Sequence, residues 1–119
     1  MQFVVLIYQG STPLPNTPAW DALPDAEQKA IYADYGRLNN TPGVSPGLPL
    51  GLAQNAKTVR VEHGNTITKE GPYAGVEHAV GGYFVFEADD IDAAIEVASH
   101  IPAARHGGAI EIRAVETYW

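Results

Sequence analysis

The chain has no cysteine, so it can form no disulfide and no thiolate metal site, and it offers no thiol nucleophile. Basic residues are scarce: 7 Lys plus Arg stand against 14 Asp plus Glu, a formal charge of -7. Such a field repels phosphate backbones and anionic lipid surfaces, and no basic stripe interleaved with aromatics offsets it. Direct nucleic-acid or membrane binding is therefore not expected. The apolar run Phe3 to Ile7 is far too short to span a bilayer and lacks a basic leader or cleavage-like site, so it reads as a strand and not a signal. Dinucleotide and phosphate loops are missing as well, since Gly107-Gly108 follows a helical segment instead of opening one. His63, His100 and His106 form no i, i+4 pair, so neither a metal nor a cofactor is expected. A length of 119 residues suits a single domain over residues 1–119, and the lack of cysteine suits a reducing cytoplasm.

Phe3-Val4-Val5-Leu6-Ile7-Tyr8 is a continuous β-rich run, the pattern of a central strand buried on both faces. A proline-rich connector, Ser11 to Pro18, follows. A helix is predicted from near Pro24, with Asp25 and Glu27 where the dipole favours negative charge. Ile31, Tyr35 and Leu38 make its buried stripe, with Ala30 beside them. Asn39 to Asn55 is rich in proline and glycine, of a length that suits a lid or subunit contact, and Leu48 to Gln54 within it is a candidate short strand. Thr58 to Glu62 and Thr66 to Thr68 form a hairpin about His63-Gly64-Asn65. Tyr83 to Glu87 is a strand. Asp89 or Asp90 caps a second helix, where Ile91, Ala94, Ile95, Ala98 and Ile101 repeat at helical spacing up to Pro102. Ala109 to Val115 alternates, with Ile110, Ile112 and Ala114 on one face and Glu111, Arg113 and Val115 on the other.

This order predicts an α+β fold: a ferredoxin-like βαββαβ sandwich, an antiparallel-rich sheet with two helices on one face. No helix remains for the other face, which carries one alternating set of the first strand and of Tyr83 to Phe86. That is more apolar surface than a monomer leaves in water. A second copy packed sheet to sheet, a two-fold homodimer, is the expected solution.

The stretches Glu70-Gly71-Pro72-Tyr73-Ala74, Gly81-Gly82-Tyr83, Glu87-Ala88-Asp89-Asp90-Ile91-Asp92-Ala93-Ala94, Ile101-Pro102-Ala103-Ala104 and Glu111-Ile112-Arg113 resemble the YciI-related family, in its branch named for a DGPF motif. Met1 to Tyr8 and Thr58-Val59-Arg60 extend the similarity over nearly the whole chain. The resemblance implies a ferredoxin-like dimeric α+β barrel. It leaves function open: a few relatives are enzyme-like with a His and Asp site that no residue here matches, and the branch is often linked to transcription because its genes accompany sigma factors. Glu70 and Tyr73 stand where the motif has aspartate and phenylalanine. Where the branch usually reads Glu-Thr-Lys-Glu, this chain reads Gly75-Val76-Glu77-His78.

Glu77 and His78 are the candidate acid and base, because a carboxylate beside an imidazole tunes its titration near neutral pH; a solvated polar loop is the competing account. Arg60, Glu111 and Arg113 are expected to face the cleft between sheets, Arg113 as a carboxylate clamp or as a cross-strand ion-pair partner. Tyr8, Tyr73 and Tyr83 can wall a pocket or simply pack. Glu70, in the Glu70-Gly71-Pro72 turn, is a further candidate ligand residue unless the turn is purely conformational. Two functions follow: an inter-sheet cleft near Tyr8, Tyr73, His78 and Arg113 that binds a small anionic or aromatic metabolite, with acid/base chemistry open, or a non-catalytic accessory protein in sigma-factor-linked regulation acting through protein contacts.

Overall fold

The computed structural model describes residues 1–119. In chain order the elements are β1 (Gln2–Tyr8), α1 (Pro18–Asp21), α2 (Asp25–Asn39), β2 (Val44–Pro49), β3 (Lys57–Glu62), β4 (Asn65–Glu70), β5 (Val80–Glu87), α3 (Ile91–Ala98) and β6 (Ala109–Ala114), with single 3₁₀ turns at Ala53–Asn55, Val76–His78 and Pro102–Ala104. A four-stranded sheet runs β2-β5-β1-β6, antiparallel throughout. Setting the β3–β4 hairpin aside, the order is strand, helix, strand, strand, helix, strand with the first and third strands central. This is the ferredoxin-like α+β arrangement.

Register fixes the two faces. Val5 lies opposite Phe84 on one side and Ile112 on the other, so Phe3, Val5, Ile7, Phe84 and Phe86 all point to the helices, where they join Leu38, Ala94, Ala98 and Ile101 in one core. Val4, Leu6, Tyr8, Tyr83, Val85, Glu111 and Arg113 point the other way. No helix lies over them.

The helices start where their sequences direct. Pro24 caps α2, and Ile31 and Leu38 are buried along it with Tyr35 half-buried; Ala30, expected beside that stripe, is exposed. Asp90 caps α3, its Oδ1 accepting the Ala93 N–H at 2.9 Å. Asp90→Ala is expected to remove about 1 kcal/mol of stability, read as a lower urea midpoint with an unchanged slope. Only the alanine side of α3 meets the sheet: Ala94 and Ala98 are buried, whereas Ile91 and Ile95, expected in the same stripe, are 47% and 52% exposed. The small residues let the short helix approach closely and leave its isoleucines on the flank.

Two further expectations are corrected. The hairpin does not join the main sheet but forms a separate two-stranded ribbon. The strand that occupies the sheet edge is β2, which lies earlier in the proline-rich stretch than the expected Leu48 to Gln54 and pairs only with β5. An edge position explains how Pro46 and Pro49 are tolerated, because their missing N–H groups interrupt no second ladder. In addition, β1 is fully buried on its helix face alone, and Val4, Leu6 and Tyr8 are half-buried.

The molecule is thin, 50 × 41 × 19 Å, with a radius of gyration of 16.1 Å, against about 13.5 Å for a compact chain of this length. It exposes 8044 Å², where a folded monomer of its mass exposes about 6,200 Å². The ribbon adds to the excess. Every residue of β3 and β4 except Thr58 is exposed, including Val59, Val61 and Ile67. No helix is long and apolar enough to cross a membrane.

Candidate functional site

Three of the sequence-derived candidates meet in one place. Tyr8 ends β1 on the uncovered face, Tyr73 follows the turn after β4, and His78 closes the 3₁₀ turn before β5. Together they line a cavity of ≈490 Å³ whose opposite wall is the Leu50–Ala56 segment. The glycine of the Glu70-Gly71-Pro72 turn explains why Tyr73 arrives there. Gly71 takes a φ of 92°, a conformation costly for any residue with a Cβ. It donates its N–H to the Ala56 carbonyl at 2.7 Å and accepts the Thr58 hydroxyl at 2.8 Å. The base of the ribbon is thereby tied to the cavity wall, and Tyr73 is delivered to the cavity mouth, 70% exposed as a residue.

Arg60 comes from β3 and not from the main sheet, and it touches Tyr73 without lining the cavity: its guanidinium lies 5.7 Å from the centroid of the Tyr73 ring, a cation–π contact, and 4.0 Å from Glu62. Glu70 pairs with Lys57, its cross-strand partner, so its carboxylate serves the ribbon. Glu77 and His78 make no ion pair with each other. His78 lines the cavity, whereas the Glu77 carboxylate curls back over Gly75, where a Cβ would sit 2.9 Å from Oε1.

Arg113 and Tyr83 stand apart from this cavity. Arg113 lies on the uncovered face opposite Val4. Its position is four residues from Ala109, the partner of Tyr8, or about 13 Å along the strand. It has no ion-pair or hydrogen-bond partner within the chain. The Tyr83 ring packs over Gly47, at whose position a Cβ would come within 2.8 Å of the ring. Sequence reading missed two polar residues on the opposite side of the sheet, Gln9 and Tyr35, which line a second and larger cavity. A glutamine just past a strand end carries no signal of burial; only the packed fold reveals it.

The sheet order and the single layer of helices define a ferredoxin-like α+β domain with one uncovered face. The chain belongs to the YCII-related domain family, which it matches over residues 1–118. No curated protein matches it.

Proposed function

We propose that this protein is a homodimer, paired through its uncovered sheet faces, that binds a small anionic or aromatic molecule in the cavity lined by Tyr8, Tyr73 and His78. The observation that carries this reading is convergence: three segments far apart in sequence bring two aromatic walls and an imidazole to one cavity at the rim of the uncovered face. Tyr8 and Tyr73 suit a flat ring. His78 supplies a ring N–H donor, and Arg60, over Tyr73, supplies positive charge for an anion. With Glu77 turned toward Gly75, the arrangement supports binding and not paired acid/base work. We also place the chain in the DGPF branch of its family, on the Glu70-Gly71-Pro72-Tyr73 turn. A lined cavity of this kind is what separates a ligand-binding role from a purely contact-mediated accessory one.

Pairing is supported by area. The surplus of about 1,800 Å² over a compact monomer is of the order that specific interfaces bury. A two-stranded ribbon with exposed valines and isoleucine is also marginal by itself, so the ribbon is expected to lie against the partner subunit.

A thermal-shift series with aromatic carboxylates, benzoate first, tests the site. A ligand at 100 times its dissociation constant adds about 2.7 kcal/mol, or roughly 10 °C in melting temperature for a domain this size. Tyr73→Ala, at an exposed position that leaves the core intact, is expected to weaken binding about tenfold, and His78→Ala to weaken it for anions only. A shift of equal size in wild type and both variants would refute the placement of the site.

A further inference from the structure

The uncovered face is apolar along its middle and charged along one margin. Val4, Leu6, Tyr83 and Val85 form the middle, and β6, the strand at the margin, presents Glu111 beside Leu6 and Arg113 beside Val4. Both charged residues are exposed, and neither makes an ion pair within the chain. The other charge on this face of the four-stranded sheet, Glu87, is already held by the Met1 amino group at 3.3 Å. One anion and one cation are thus left over, two residues apart on one strand, with about 6.8 Å between their Cα atoms.

Covering the face gives this doublet a consequence. In the pairing proposed above, on which this inference rests, both charges leave water, and a charge buried without a partner is costly. A two-fold interface is self-complementary: where residue i meets residue j of the other copy, j meets i. Val5 has Phe84 and Ile112 as its register partners, so these three residues form a row across the sheet. A two-fold axis lying between the sheets, perpendicular to the strands and over that row, lays each strand antiparallel over its own copy. Residues one step to either side of the row then exchange places. Val4 faces Leu6 of the partner subunit, Val85 faces Tyr83 of the partner subunit, and Arg113 faces Glu111 of the partner subunit. An axis over Glu111 itself would set carboxylate on carboxylate, and one over Arg113 would set guanidinium on guanidinium. Glu and Arg, reaching from both sides, can close the about 10 Å between stacked sheets, and their length absorbs the roughly 30° at which aligned sheets cross.

We propose that Glu111 and Arg113 form two reciprocal salt bridges between the subunits and so fix where the two-fold axis lies. Apolar contact drives the association; the charge doublet selects its register, because a sheet slipped by one residue loses both bridges and gains a like-charge contact. Arg113, which stands apart from the cavity, thereby serves assembly instead of ligand binding.

The test mixes two charge reversals of the full-length chain. Glu111→Arg makes the doublet doubly cationic and Arg113→Glu makes it doubly anionic, so each variant alone sets like charges against each other at both contacts. Each is expected to associate about a hundredfold more weakly than the wild type, and, with both positions exposed, to keep the wild-type circular dichroism. Mixed in equal amounts, the two supply opposite charges at both contacts. Light scattering is then expected to show a species of twice the 12.7 kDa chain mass, with native mass spectrometry identifying it as the heterodimer. Single variants that pair as tightly as the wild type, or a mixture that stays monomeric, would overturn the salt bridges while leaving the pairing in place. A monomeric wild type would instead remove the pairing, and the bridges with it.

Discussion

Phe3→Ala is expected to cost about 3–5 kcal/mol, the range for truncating a fully buried phenylalanine. Phe3 is 1% exposed and sits on the helix-facing side of the central strand, among the aromatic and aliphatic core. Its removal opens a void where β1 meets β5 and β6, between Phe86 and Ala114, its register partners. Against a total stability of about 5–15 kcal/mol for a domain, this loss leaves a marginal or unfolded chain at 37 °C. Chemical denaturation of the variant beside the wild type measures it. A loss under 1 kcal/mol would mean that the face assignment of β1 is wrong.

Three positions further along, a change of opposite character is expected. Leu6 points to the uncovered face, between Tyr83 and Glu111. Leu6→Lys gives the side chain an acidic neighbour in its own sheet, so the isolated subunit stays folded. Two-fold pairing, however, would bring a buried cation from each copy to the interface. Like charges so placed cost several kcal/mol; about 4 kcal/mol corresponds to roughly a thousandfold weaker association. Light scattering behind size exclusion is expected to show a folded species of 12.7 kDa, with the circular dichroism of the wild type. Retained pairing in Leu6→Lys would show that the subunits meet elsewhere. The two substitutions thus separate, within one seven-residue strand, the side that holds the fold together from the side proposed to pair with a second copy.

Much of this architecture was legible from periodicity. The apolar run of β1, the alternation of β6 and the capped repeat of α3 each carry a strong local pattern that tertiary packing did not overrule. β2 was legible only as a strand displaced to Leu48 to Gln54, because Val-Ser-Pro-Gly-Leu-Pro reads as connector; it is a strand because β5 offers it a ladder along one edge. The exposure of Ile91 and Ile95 was equally hidden, since helical spacing shows which residues share a stripe but not how wide a stripe the sheet covers. At the candidate site, Tyr8, Tyr73, His78 and Arg113 were expected around one cleft; the first three line one cavity, through the Gly71 turn and the tie from Thr58, and Arg113 does not. Arg60 was assigned to the wrong sheet because the hairpin's independence is a matter of long-range pairing. Gln9 left no trace in the sequence, since an unpartnered buried oxygen exists only once α2 and β5 have closed around it.

The uncovered face is the premise on which both the pairing and the site at its rim depend, and sedimentation equilibrium of the wild-type chain at micromolar concentrations tests it most directly. The expected result is a single species of twice the 12.7 kDa chain mass. A monomer that persists across the concentration range, with Val4, Leu6 and Val85 left in water, would contradict it.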